Sequence, residues 1–370
     1  FRKRILDKVG MYRKECDGSQ DHDMILRISE ISKNIVHIPK VLYFWRAHNY
    51  SVAGDINSKK YASEAGIKAV SDHLSRQGIR AEVKSSKDYP VIYKVDYDLI
   101  EQAMISIIIP NSNSLSDLKN CIDSIFVKSS YSNYEIIIVH YNSCLNTDVN
   151  DYYKEVEKRG NVHVLNYRGK SINYYSVCNF GASHANGKYI LLLHSDTKVI
   201  SPNWIEEMLM FSQRADVGVV GAKLYYANDT IQHAGICLNP DGENLFEYLY
   251  KGEMRSEMGY MGKLIYVQNL TAVSAACLMI KKSTFDIYGG FDEELGDEDY
   301  SIVDFCLRLR NMGLLTVFTP YAELYHYEKN NKRIISSNHN HQYVRFKKRW
   351  KAVLEKGDPY YKSNLIQIYY

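Results

Sequence analysis

Asp196 is the residue of this chain best placed to do chemistry. It closes the run Lys188-Tyr189-Ile190-Leu191-Leu192-Leu193-His194-Ser195-Asp196-Thr197. The apolar stretch predicts a strand buried on both faces. The polar triplet His194-Ser195-Asp196 then falls where open α/β sheets bind ligands, at the carboxyl end of a strand. A carboxylate there suits a divalent cation that also touches a diphosphate. Mg²⁺ and Mn²⁺ take hard oxygen ligands and are commonly shared between one or two carboxylates and substrate phosphates. Asp, Ser and Thr are also good helix N-caps, so the position alone leaves a metal ligand and a cap both open.

The elements around Asp196 follow a strand–helix rhythm that starts near Met104. Strands are predicted at Ile105–Ile109, closed by Pro110, and at 135–139, 162–165 and 189–193. Leu118, Cys121, Ile122 and Ile125 recur at helical spacing between the first two. A helix over 173–185 leads through Asn186-Gly187 into the fourth strand. Ser201-Pro202 opens the next helix, with Ser as cap and Pro in the first turn. The alternation predicts an α/β fold with a mostly parallel central sheet flanked by helices. Before Met104 the pattern differs. An apolar-periodic helix follows Asp17-Gly18-Ser19-Gln20-Asp21-His22-Asp23, a strand is expected at 35–39, and a longer helix over 59–76. Residues 91–98 alternate as a half-exposed strand or an extended linker would.

Composition narrows the classes. The chain of 370 residues is 45% hydrophobic and 24% charged with a net charge of +3, which gives no reason to expect nucleic acid. No apolar run reaches membrane-spanning length. The seven cysteines are scattered without a C-x-x-C pair, the usage expected of reduced thiols in a cytoplasmic setting. Phe1-Arg2-Lys3-Arg4 reads as the interior of a larger protein. There is no G-x-G-x-x-G, and Gly181 to Lys188 has the wrong glycine spacing for a P-loop and leads into a strand. His22, His37 and His48 are too dispersed for a zinc site.

Together these motifs resemble the family 2 glycosyltransferases of GT-A fold. They are 106–110, 139–143, 173–187, 193–196, Gly221 through Gln232-His233-Ala234-Gly235, Gly289-Gly290-Phe291-Asp292 and His326-Tyr327-Glu328. The pattern is most similar to the rhamnosyltransferase-like branch that builds bacterial surface polysaccharides, whose members often carry two transferase domains in tandem. Gly18 through Asp23, His37-Ile38-Pro39 and Leu42-Tyr43-Phe44-Trp45-Arg46 resemble the end of such a preceding domain. The expected organisation is therefore a remnant domain over 1–82, a linker over 83–103, a transferase domain over 104–330 and a basic, aromatic tail over 331–370.

The resemblance implies a nucleotide-sugar donor, a glycan or lipid-linked glycan acceptor, and Mg²⁺ or Mn²⁺. Asp196 matches the metal carboxylate, and His326 the late histidine that can reach the same metal. Pro110, His140, Asn142, Ser143, Asn173, Asn179 and Ser195 match donor-site positions, with His140 where the family usually has Asp. His48 matches the late histidine of the remnant. The family's general base is the first Asp of an Asp-x-Asp pair opening a late helix. That position is Ile302 here, and Asp304 holds the second. Asp304 or a loop acid, Asp297 or Asp299, is then the candidate base, while the remnant keeps the pair as Asp21-His22-Asp23. The expected function is inverting, metal-assisted sugar transfer to a growing cell-surface polysaccharide. The alternative is a non-catalytic partner domain beside an active transferase. Lys347, Lys348, Arg349 and Lys351 around Trp350 suggest peripheral contact with the inner face of the plasma membrane.

Overall fold

The computed structural model describes residues 1–36, 38, 40–44, 60–112, 114–141, 146–169, 173–240, 242, 244–296, 298–328 and 339–361. His37, Pro39, Trp45, Arg46, His48, Asn142, Ser143 and Asp297 lie outside them. The chain divides into two compact units, Phe1–Asp98 and Leu99–Tyr370.

The first unit holds α1 (Lys3–Val9), α2 (Gln20–Ile31), α3 (Lys60–Arg76) and a hairpin of β1 (Ala81–Ser85) with β2 (Tyr93–Tyr97). This corrects the linker expected over 83–103. The alternation at 91–98 is that of a strand, every residue of β2 is half-buried, and a second strand pairs with it. Ile35 and Val36 are exposed and form no strand among the described residues.

The second unit runs β3 (Ile105–Asn111), α4 (Leu115–Lys128), β4 (Tyr134–His140), α5 (Thr147–Glu157), β5 (Val162–Asn166), α6 (Tyr174–Ser183) and β6 (Tyr189–Leu193). It continues through β7 (Thr197–Val199), α7 (Trp204–Ser212), β8 (Val217–Tyr225), β9 (Ile231–His233), β10 (Ile236–Leu238), β11 (Phe246–Tyr248) and β12 (Gln268–Leu270). β13 (Cys277–Lys281), α8 (Lys282–Ile287), α9 (Glu298–Asn311), β14 (Leu315–His326) and α10 (His339–Leu354) complete it. The main sheet is ordered β12-β14-β8-β13-β6-β3-β4-β5. Its β6-β3-β4-β5 half is parallel, β13 enters antiparallel, and β8 and β14 are parallel to each other.

Burial explains the apolar runs. Ile107, Ile108, Ile109, Ile190, Leu191 and Leu192 have no exposed surface, because helices cover both faces of the sheet. Each such side chain contributes about 1.5–3 kcal/mol on burial. The tail is not separate from the domain. Phe346, Trp350 and Leu354 of α10 are buried in the core of the second unit, and the buried Asp358 carboxylate accepts from Leu238 N (2.8 Å) and Thr271 Oγ1 (2.6 Å). Among the described residues, no helix is long and apolar enough to cross a membrane.

Glu135 fixes the start of the parallel half. Its buried carboxylate accepts from Ser106 Oγ (2.6 Å) and from Asn186 N (2.8 Å) and Nδ2 (3.1 Å). The next residue, Gly187, has no room for a side chain, since a Cβ would stand 2.5 Å from Ser106 N. One acid thus aligns β3, β4 and the turn that launches β6. Burial alone would raise the Glu135 pKa, but the bonds from Ser106 and Asn186 bring it below the ordinary value. A carboxylate with a depressed folded pKa stabilises above its unfolded pKa and loses that effect as pH falls through the folded value. Glu135→Gln should therefore cost about 1–3 kcal/mol near neutrality. In urea unfolding at several pH values, the gap to wild type should shrink as pH drops below about 4.3. A gap that does not change with pH would contradict the assignment.

Candidate functional site

The site is built where β6 and β14 end. After Leu193 the chain turns tightly, with Thr197 N donating to His194 O (3.2 Å), and enters β7. β7 pairs antiparallel with the end of β14, setting Thr197 opposite His326. Tyr327 N also donates to Asp196 O (2.9 Å). β14 runs on to His326. It passes Pro320 through a register shift between Thr319 and Glu323, the irregularity a proline in a strand requires.

This pairing brings three side chains together. His194 Nδ1 lies 3.2 Å from His326 Nε2 and 3.9 Å from Asp196 Oδ1, and His326 Nε2 lies 3.2 Å from Asp196 Oδ1. Among the described residues, these three form the group of His, Cys, Asp or Glu able to converge on one metal ion. Burial, then the neighbouring His326 ring, push the His194 pKa down to about 3, with Asp196 opposing. The imidazole is therefore neutral, the state a metal ligand needs. Burial would raise the Asp196 pKa, but the hydrogen bond and charge of His326 and the charge of His194 hold it at about 2. Tyr174 packs edge-on against His194, with ring centroids 4.7 Å apart. The donor set of two imidazoles and one carboxylate suits a divalent cation: a common ion at ligand distances of about 2.0–2.2 Å brings such atoms to within roughly 3–3.5 Å of each other, which the two 3.2 Å separations meet and the 3.9 Å one would meet after a small side-chain movement. His194 was not singled out from sequence as a ligand. The signal was its place in the same triplet as Asp196.

His194 and His326 also line a cavity of about 270 Å³, with Asp196 just outside the lining. Tyr248, Asp299 and Ile302 also line it, as do Gln232 and Glu328. Gln232 Nε2 donates to Glu328 Oε2 (3.2 Å). Asp299 and Ile302 lie three positions apart on α9, so both project from one face. The Tyr248 hydroxyl donates to Asp299 Oδ1. The His233 ring packs edge-on against Tyr248, and its Nε2 accepts from Ser274 N (3.0 Å), which places the ring proton on Nδ1. Burial pushes the His233 pKa down to about 3.

The other expected site residues are placed elsewhere. Asp304 is fully buried and absent from the cavity lining. It accepts from Arg308 Nε (2.8 Å), Arg349 Nη1 (2.7 Å) and Trp350 Nε1 (2.9 Å), joining α9 to α10. A carboxylate so enclosed is an anchor, which corrects the expectation of a base there. Asn173 caps α6, accepting from Ser176 N (2.8 Å). Asn179 accepts from Phe291 N (3.0 Å) and donates to Phe291 O (3.0 Å). That clamps the turn at Gly290, whose φ is +63°. Both asparagines thus hold backbone rather than line the cavity. Pro110 and His140 end adjacent strands, and buried His140 packs on Tyr153, with Nδ1 3.3 Å from its hydroxyl. Ser195 is half-buried between the two ligand candidates.

The first unit repeats part of this construction. Buried Asp23 binds Arg27 Nε (2.9 Å), four residues on, as Asp304 binds Arg308. Arg27 Nη1 caps Val9 O (2.5 Å) at the end of α1, and Arg308 Nη1 caps Tyr288 O (2.5 Å) just after α8. Exposed Asp21 stands two residues before Asp23, where the second unit has Ile302 before Asp304.

Residues 106–285 match the family model described as Glycosyl transferase family 2. Over those residues the chain is similar to the family 2 glycosyltransferases. Its fold is GT-A. A crystal structure of GalNAc-T7 with UDP, GalNAc and Mn²⁺ superposes with a TM-score of 0.55 at 16% identity, covering 68% of this chain and 50% of that one. The uncharacterized protein y4gI of Sinorhizobium fredii is 35% identical over 374 residues, covering 99% of this chain. The O-antigen biosynthesis protein RfbC of Myxococcus xanthus is 31% identical over 366 residues, covering 98% of it. The chain spans 40% and 28% of the lengths of these two relatives.

The second unit should depend on Asp304 for stability. Asp304→Ala removes one acceptor from three donors and should cost about 3–5 kcal/mol in urea unfolding. A loss below about 1 kcal/mol would mean that the α9–α10 junction holds without it.

Proposed function

We propose that the second unit transfers a sugar from a nucleotide-diphosphate donor to a hydroxyl of a growing cell-surface glycan, with inversion at the anomeric carbon. One observation carries this reading. Two members of a metal-competent triad, His194 and His326, line the same cavity as a carboxylate, Asp299, with the third member, Asp196, beside them. In the transfer, the acceptor hydroxyl gives its proton to Asp299. The acceptor oxygen then bonds to the anomeric carbon as the bond to the diphosphate breaks, and its electron pair leaves with the diphosphate. Tyr248 orients Asp299 through its hydroxyl. Asp299 lies about one turn before Ile302 on the same face of α9, so a base at 299 reaches the cavity that position 302 also lines. A divalent cation held by the triad would supply Lewis-acid neutralisation of the leaving diphosphate. Two imidazoles in the donor set favour Mn²⁺ over Mg²⁺, which prefers an oxygen shell.

The relatives extend the reading. The RfbC likeness supports surface polysaccharide as the product class, and the quoted motifs support a rhamnosyl or other hexosyl donor. We read the first unit as the C-terminal part of another transferase domain, supported by its Asp23–Arg27 and α1–α2 likeness to Asp304–Arg308 and α8–α9. In that part Asp21 holds the base position.

Ile302 favours a second reading, a non-catalytic partner domain. Nucleotide release from UDP-, GDP- and dTDP-sugars with Mn²⁺ and glycan acceptors separates the two. Asp299→Asn should lower kcat by about 10²- to 10⁴-fold without weakening nucleotide binding, and Ile302→Asp should restore part of it. Nucleotide binding without transfer by wild type, and none gained with Ile302→Asp, would establish the partner reading.

A further inference from the structure

A second concavity, of about 640 Å³, runs beside α10. Its apolar floor includes Pro240, Leu245, Val344 and Leu354, and its rim carries Lys347, Lys348, Lys351 and Lys356, with Glu355 the one acid in the lining. The four lysines are exposed. Val344, Lys347, Lys348 and Lys351 recur at three- and four-residue steps, so they share one helix face. Val344 is 55% exposed on it. The opposite face is fixed in the protein through Phe346, Trp350 and the Arg349–Asp304 pair. Arg349 and Trp350 are therefore taken out of the basic cluster read from sequence, and Lys356 joins it. Among the described residues Lys347 and Lys348 have no acidic partner. Lys347 Nζ reaches only the Tyr343 hydroxyl, at 3.0 Å.

We propose that this face of α10 docks the protein on an anionic phospholipid surface. Charge complementarity selects the occupant. Lysine stems lie along apolar surface with their ammonium groups at the headgroups, and an apolar floor beside them accepts the acyl boundary, as on other interfacial amphipathic helices. A purely solvated face needs no such floor. Leu245 belongs to both this groove and the reaction cavity, so docking would bring the cavity beside the membrane. The proposal stands independently of the transfer reaction, because its readout needs neither donor nor acceptor.

Co-sedimentation of the whole chain with vesicles tests it. Phosphatidylcholine vesicles containing about 30 mol% phosphatidylglycerol should retain the protein, pure phosphatidylcholine should not, and raising salt from about 0.05 to 0.5 M should release it. Lys347→Glu/Lys348→Glu/Lys351→Glu should weaken partitioning roughly a hundredfold, and Val344→Asp should weaken it at unchanged lysine content. The equally sized reversal Lys128→Glu/Lys154→Glu/Lys158→Glu should have little effect. The Gln triple at 347, 348 and 351, with an unchanged melting temperature, should also lose binding, which removes misfolding as the cause. Equal binding to both vesicles, equal loss in the two Glu triples, or release by inorganic pyrophosphate at constant ionic strength would overturn the proposal. The last result would mark a discrete anion site instead.

Discussion

The short antiparallel pairing of β7 with the end of β14 is the contact on which the site depends. It holds Thr197 against His326 and Val199 against Leu324, and so closes a separation of 132 positions between His194 and His326. Without it, the triplet ending β6 would be a polar turn with one carboxylate, and His326 a histidine on a distant strand. With it, three potential ligand atoms meet within 4.8 Å. The register carries the chemistry, because a slip of one residue would turn His326 to the other face of β14. The bulge between Thr319 and Glu323 sets that register after Pro320.

A similar division of labour runs through α9. Asp304 and Asp299 lie on one helix, yet their surroundings separate them. Asp304 is enclosed by Arg308, Arg349 and Trp350, and so ties the helix to α10. Asp299 sits at the amino end, where it lines the cavity and meets Tyr248. The anchor holds the rigid body and the reactive candidate sits at its tip, a favourable place for an acid near a helix N-terminus. Because α10 is bound through Asp304, the lysine face of that helix has a fixed direction.

Much of this was legible in the sequence where a signal was local. The runs at 105–109, 135–139 and 189–193 gave buried strands because both sheet faces are covered. Asp196 was marked by the buried strand it closes and His326 by motif resemblance, and the structure sets them 3.2 Å apart. What escaped was set by distant partners. A histidine directly after a strand has no pattern that marks it as a ligand, and His194 acquires that character only from a strand far along the chain. Asn173 and Asn179 matched donor positions by motif, but nothing local told that one caps a helix and the other clamps Gly290. The sequence reading grouped Arg349 and Trp350 with the lysines as one basic aromatic patch, because their acceptor lies 45 and 46 positions away. Pro320 punctuates β14 in sequence, whereas in three dimensions the strand bends around it.

The central claim is that His194, Asp196 and His326 act as one metal-binding unit at the donor end of the cavity. The most direct test is Mn²⁺ titration followed by electron paramagnetic resonance, with and without a nucleoside diphosphate, for wild type, His194→Ala and Asp196→Ala. The account predicts that the diphosphate tightens Mn²⁺ binding in wild type, and that either variant weakens it by tenfold or more, about 1.4 kcal/mol. Wild-type affinity in His194→Ala would contradict the three-ligand site, and wild-type affinity in both variants would remove the metal from this position altogether.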